Sequence, residues 1–116
     1  MQRKFRLTRS TEFKRVRRSG KSYAHPLVVL ITQPSDQPNV RVGVAAGKTV
    51  GLAVRRNRAK RLLRAAMQRI LPDLAPGCDT LLIARQPLTT STLEETCITL
   101  HTLLRRAGLL NSPDAT

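Results

Sequence analysis

Sixteen of the chain's 21 lysine and arginine residues fall in two short segments, and that clustering limits what the chain can fold into. Residues 1–21 carry nine of them (Arg3, Lys4, Arg6, Arg9, Lys14, Arg15, Arg17, Arg18 and Lys21) against a single acid, Glu12. Residues 48–64 carry seven more (Lys48, Arg55, Arg56, Arg58, Lys60, Arg61 and Arg64) and no acid at all. Burying an unpaired charge is costly, so both segments must lie at the surface and lend at most one apolar stripe to a core. The formal net charge of +14 lies well outside the range of about ±8 usual for a small domain. Self-repulsion on that scale weakens a compact state, which makes a polyanion the first partner to consider.

The length of 116 residues suits one domain, expected over 1–110 with a loose tail at 111–116. Hydrophobic residues make up 41 % but aromatics only 3 %, so aliphatic side chains must fill the core. Ser10-Thr11-Glu12-Phe13 offers helix-capping chemistry, for a helix that ends at Gly20 with Phe13 and Val16 on one face. Leu27 to Thr32 reads as a strand, residues 34–39 as a turn, and Val40, Val42 and Val44 as a second strand. The two are expected to pair as a hairpin over 27–46. A long helix starts near Leu52 or Ala53, with Ala59, Leu62, Leu63, Ala66 and Ile70 on its apolar side, and stops at Pro72. Thr80 to Ala84 reads as a buried strand, parallel to part of the sheet. A last helix starts at Thr90-Ser91-Thr92 with Glu94 and Glu95, packs through Leu93, Cys97, Leu100, Leu103 and Leu104, and closes at Gly108. These elements describe an α+β sandwich, a sheet covered by helices.

Several function classes find no support in the sequence. No apolar run approaches the roughly 18 residues of a membrane span, and no signal-type stretch follows the basic N-terminus, so a cytoplasmic protein without a membrane partner is expected. Cys78 and Cys97 lie far apart, outside any C-x-x-C pattern, and read as small buried thiols. Glu94 and Glu95 are neighbours whose side chains diverge by about 100° on a helix, which suits a helix start better than acid–base catalysis. His25 and His101 lack ligand-spaced companions, and Gly43, Gly47 and Gly51 lack the spacing of a phosphate-binding loop. No catalytic residue, protein metal site or small-molecule substrate is expected of the chain alone.

The informative stretch runs from Val54 to Arg64. Arg55, Arg56 and Arg58 crowd the start of a helix, where the macrodipole favours anions, at a penalty of about 0.3–1 kcal/mol per exposed charge. Bound phosphates would reverse the sign, because the helix N-terminus and the guanidinium groups then act together. Asn57 adds a group able to orient an arginine or to bond a 2′-hydroxyl or base edge. The bland alternative is a pair of solvated basic helices, which would account for solubility but not for the missing carboxylates.

Gly47-Lys48-Thr49-Val50-Gly51-Leu52-Ala53-Val54, followed by Arg56-Asn57-Arg58 and Lys60-Arg61-x-x-Arg64, resembles the RNR signature of the protein subunit of bacterial ribonuclease P. The resemblance covers nearly the whole chain. Thr11-Glu12-Phe13 with Val16 and Gly20, Arg41-Val42-Gly43-Val44, and Ile83-Ala84-Arg85-Gln86-Pro87 also match in order and spacing. It implies an α-β-β-β-α-β-α two-layer sandwich, a fold shared with a ribosomal protein domain, with a small strand near Tyr23 to His25 and a left-handed βαβ crossover through the arginine-rich helix. It also implies a monomer in a 1:1 complex with a catalytic RNA. That RNA, with Mg²⁺ held mainly by the RNA itself, would cut the 5′ leader from precursor tRNA.

Carried onto this chain, the resemblance directs Lys48, Arg55, Arg56, Asn57, Arg58, Lys60, Arg61 and Arg64 at the catalytic RNA. It assigns Arg9, Phe13, Arg17 and Ile31 to a cleft for the single-stranded leader. Phe13 matches an aromatic position of the family, and it also fits a plain core position. Arg17 and Ile31 stand where the family commonly has further aromatics; guanidinium stacking and apolar contact would replace them. A structural RNA-binding protein, such as a small ribosomal protein, fits the composition equally well, and the ordered glycine-to-RNR block argues against it.

Overall fold

The computed structural model describes residues 5–111. Arg3, Lys4 and residues 112–116 of the expected tail lie outside that range. Among these residues three α-helices and four strands follow in the order α1 (Ser10–Ser19), β1 (Lys21–Ala24), β2 (Val28–Pro34), β3 (Arg41–Ala46), α2 (Ala53–Ile70), β4 (Cys78–Ala84) and α3 (Leu93–Arg106), with short 3-10 turns between some of them. This is the expected α-β-β-β-α-β-α succession, including the small first strand.

The strands lie in the order β1-β2-β4-β3, which corrects the expected hairpin over 27–46. β2 and β3 do not pair. β4 enters between them, antiparallel to β2 from Val28↔Ala84 to Pro34↔Cys78 and parallel to β3 from Arg41↔Asp79 to Ala46↔Ala84. The physical reason lies in β4 itself, whose apolar run gains most from a central place where both faces are covered. Skipping one strand requires only about 10 Å, well within reach of the connection at 35–40. The hairpin that does form joins β1 to β2, from Lys21↔Thr32 to Ala24↔Val29. Its turn is held by the Leu27 N–H, which donates to His25 Nδ1 at 3.1 Å.

Alternation along the strands sorts side chains onto two faces. Val28, Leu30, Val42, Val44, Leu82 and Ala84 point at α2 and α3, where they meet Ala59, Leu63, Met67, Leu100, Leu103 and Leu104. This sheet and helix pair are the two main layers. Ile31 and Leu81 point the other way and are covered by Val16 of α1 and by Leu7. The core is aliphatic, as the composition requires. On α2, Met67 is buried while Leu62 is half-exposed; on α3, Thr96 and Thr99 are buried while Leu93 and Cys97 are half-buried. Cys78 and Cys97 are free thiols, half-buried rather than buried.

The helix starts differ in kind. α3 has the capping box its sequence indicates: Thr92 Oγ1 accepts from the Glu95 N–H at 3.1 Å, and Glu95 accepts from the Thr92 N–H at 3.0 Å. α1 instead begins at Ser10 with Arg9 as the extended flanking residue, and no side chain caps it, so the expected serine–threonine cap is not made. α2 is likewise uncapped behind Leu52. Both uncapped starts belong to the basic segments.

Gly20 is required where α1 turns into β1, because a Cβ there would lie 2.5 Å from the Val16 carbonyl oxygen and 2.7 Å from Ile31 Cγ2. Gly20→Ala is therefore expected to cost about 2–3 kcal/mol in denaturant unfolding. Gly47→Ala, with nothing within 4 Å of the added methyl, should stay within about 0.5 kcal/mol of the unsubstituted protein.

Candidate nucleic-acid interface

α1 presents Lys14, Arg15, Arg17 and Arg18 outward while Val16 is fully buried. The helix is tied to the sheet by charge as well as by packing. Asp79 on β4 has no exposed side-chain surface, and its Oδ2 receives Arg15 Nη2 at 2.5 Å and Arg41 Nη2 at 2.8 Å. Arg41 Nε also donates to Asp79 Oδ1, at 3.0 Å, giving the two-pronged geometry of a strong arginine–carboxylate pair. Arg41 further reaches Glu12 of α1, Nη1 to Oε2 at 2.6 Å, and Arg15 bonds the side-chain oxygen of Gln33 on β2. Burial alone would discourage Asp79 from ionising, but the hydrogen bonds and charges of Arg41 and Arg15 outweigh it and hold the carboxyl below its usual value. Donating to Asp79 in turn raises the Arg41 guanidinium above its usual value, against the effect of burial.

This network engages the one acid of the first basic segment and the nearest acid of the sheet. No carboxylate among the described residues pairs with Lys14, Arg17 or Arg18. Beside them, Phe13, Lys14, Arg17, Ala45 and Leu81 line a cavity of about 80 Å³ between α1 and the sheet. The Phe13 ring lies so close over β3 that a Cβ on Gly43 would sit 2.7 Å from its Cζ. Phe13 and Arg17 are thus brought together as expected. Ile31 is buried beneath α1 and offers almost no surface, and Arg9 stands exposed before the helix, away from that cavity's lining. Lys14 went unrecognised in the sequence, although its position one turn before Arg17 places it on the same side.

On α2 the second cluster divides. Val54, Asn57, Lys60, Arg61 and Arg64 line a shallow depression of about 420 Å³ along one side of the helix. Arg58 turns toward the short helix Gln86–Thr90, where its Nε donates to the Thr89 carbonyl at 3.0 Å. Arg55 packs against Gly51, whose φ of 130° favours glycine, and Arg56 is half-buried. Lys48 is exposed on a single turn anchored by the buried Val50. The first turn of α2 contains no acid, so the helix dipole and its arginines stand together without a counter-charge of their own.

The two basic segments meet at Arg6 and Arg64. The Leu7 N–H donates to the Val42 carbonyl at 2.9 Å, laying the N-terminal strand residues along the open edge of β3. Arg6 and Arg64, with Leu7, Thr8, Phe13, Val42 and Val44, then enclose a cavity of about 170 Å³. Burial, and after it the Arg6 charge, pull the Arg64 guanidinium below its usual value. No acidic partner among the described residues meets either arginine. Residues 58 positions apart in sequence carry no local signal of this meeting.

Among the described residues no three His, Cys, Asp or Glu side chains gather in a way that would hold a metal ion. None of their helices is long and apolar enough to cross a membrane. What the described residues do bring together is cationic surface without balancing carboxylates, chemistry that suits contact with phosphates.

The chain is thus a small α+β domain with an arginine-rich crossover helix and a cationic first helix, and comparisons with known proteins place it in a family. Residues 1–108 match the family model described as Ribonuclease P, and the chain belongs to that family. The ribonuclease P protein component of an Exiguobacterium species is 39 % identical over 107 residues, covering 92 % of this chain and 93 % of that protein. The one from Herpetosiphon aurantiacus is 38 % identical over 109 residues, covering 94 % and 89 %. The structure of the Staphylococcus aureus RNase P protein superposes with a TM-score of 0.81 at 28 % identity, over 92 % of this chain and 98 % of that one. The Thermotoga maritima RNase P protein gives 0.78 at 26 % identity, over 87 % and 96 %.

The Asp79 network carries its own prediction. Asp79→Asn leaves Arg15 and Arg41 facing each other over a neutral amide and should cost about 3 kcal/mol at neutral pH. Because the carboxyl is depressed in the folded state, its stabilisation is complete above the unfolded value of 3.8 and is lost as pH falls through the lower folded value. The gap between the two proteins in urea titrations should therefore close only below about pH 4.

Proposed function

We propose that this protein is the RNA-gripping subunit of a bacterial ribonuclease P. In this reading the α2 face of Lys48, Arg55, Arg56, Asn57, Lys60, Arg61 and Arg64 binds the catalytic RNA, and the α1 cleft around Phe13, Lys14 and Arg17 holds the single-stranded 5′ leader of precursor tRNA. The observation that carries the reading is the unbalanced charge of both helices: the nearby acids Glu12 and Asp79 are already engaged by Arg41 and Arg15. What remains at the surface lowers the repulsion between two phosphate backbones brought side by side. Family membership supports the partnership with the ribonuclease P RNA.

Hydrolysis of the phosphodiester bond, which releases the mature tRNA 5′ end, falls to the RNA. Mg²⁺ held by the RNA would supply an activated water and stabilise charge there. The protein contributes binding, screening and alignment, as one copy per RNA, in the cytoplasm. Arg58 has a divided role, since one edge of its guanidinium already fastens the Gln86–Thr90 turn to α2.

The deciding experiment is cleavage of precursor tRNA at low Mg²⁺ by the cognate RNA, with and without the protein. Rescue by the intact protein and loss of rescue in Lys60→Ala/Arg61→Ala is the expected result; RNA binding without any rescue would instead favour a structural RNA-binding role. Affinity for the RNA should fall steeply with salt. Removing these two phosphate contacts should flatten the log–log slope by about 1.5.

A further inference from the structure

The cationic start of α2 also carries the most exposed large apolar side chains of the described residues: Leu52 is 81 % exposed and Val54 77 %. A phosphate-gripping surface has no use for them, and neither serves the core. Leu52 flanks the helix with an extended backbone, where a serine, aspartate or asparagine would have capped it. Val54 is β-branched and stands in the first turn, where a carboxylate would have suited the dipole. An isolated exposed leucine requires no explanation. Two together, at the end of a cationic stripe and on a helix that forgoes both cap and acid, do.

The placement of Val54 indicates what it meets, with Leu52 exposed on the extended backbone that leads into the same helix start. Val54 is the apolar member of the depression whose other walls are Asn57, Lys60, Arg61 and Arg64. Positions 54, 57, 61 and 64 recur along one side of the helix, so a strand of phosphates gripped by Lys60, Arg61 and Arg64 would run toward Val54. A duplex presents phosphates, riboses and base edges but keeps its base faces stacked inside. An unpaired nucleotide presents the flat apolar face that an aliphatic side chain can cover, and Asn57, one turn along, can bond an edge of the same base.

We propose that Leu52 and Val54 form a non-ionic contact for an unstacked base of an RNA, next to the phosphate grip of α2. This rests on the RNA-binding reading of that face and adds to it a preference for non-helical RNA. It also assigns a division of labour within one interface. The arginines and lysine set affinity in a salt-dependent way, whereas the apolar pair contributes a share that salt does not screen.

The test uses the full chain with Leu52→Ala and Val54→Ala combined, since alanine removes the apolar surface without creating a cap and suits a helix. Binding is measured across a salt series to the cognate RNase P RNA, to a short oligoadenylate and to a blunt RNA duplex with as many phosphates. For the cognate RNA and the oligoadenylate, the variant's log–log line should run parallel to that of the unsubstituted protein, displaced by about tenfold in affinity. For the duplex the two lines should coincide. Coincident lines on all three RNAs, or an equal displacement on the duplex, would overturn the proposal. Failure of the unsubstituted protein to bind any of these RNAs would instead remove the RNA-binding reading itself. Equal unfolding midpoints for the two proteins would confirm that the displacement reports contact rather than folding.

Discussion

The arrangement of this protein depends on a buried carboxylate. Asp79 sits in the middle strand with no exposed side-chain surface, and two arginines from different elements converge on it. Arg41 is its neighbour across the parallel β3–β4 pair, while Arg15 comes from α1 on the sheet's far face. A buried charge is tolerated only when opposite charge and hydrogen bonds surround it, so its position dictates where both arginines must be. Glu12 closes the circuit from α1 back to Arg41. The apolar contacts of Val16 with Ile31 and Leu81 hold α1 against the sheet, and the ion network fixes its orientation.

That orientation decides what the protein shows to its surroundings. With Val16 inward and Arg15 tied down, Lys14, Arg17 and Arg18 have only the outer surface left to them. On the opposite face α2 packs Ala59, Leu63, Ala66, Met67 and Ile70 against the sheet, and its lysines and arginines project outward or along the edge. The N-terminal residues running beside β3 then bring Arg6 up to Arg64, joining the two basic helices into one cationic margin. The repulsion implied by a net charge of +14 is thereby concentrated at the surface, away from the aliphatic core.

Much of this was legible in the residues. The helix positions follow from apolar periodicity and from breakers such as Gly20, Pro72 and Gly108; the α3 cap follows from Thr92 and Glu95. The expected pairing of β2 with β3 was wrong because neighbours in sequence need not be neighbours in a sheet, and the turn at residues 34–39 reads the same whether the chain doubles back or steps over a strand. Ile31 belongs to the leader cleft by analogy of position, and its strand register puts it on the sheet face that α1 covers, buried beside Leu81. Lys14 and Arg6 were visible only as members of a basic run, since charge alone does not say which of several adjacent cations will line a cavity.

The sequence by itself determined the segregation of charge, the kinds of elements and the family, because each is written in local composition, spacing and motif. Only the tertiary structure decided the strand order, the burial of Asp79, the close approach of Arg6 to Arg64 and the exposure of Leu52 and Val54. These arise from the competition of all segments for a single core. β4 wins the central place in the sheet, and every long-range contact of the cationic surface follows from where that leaves the two helices.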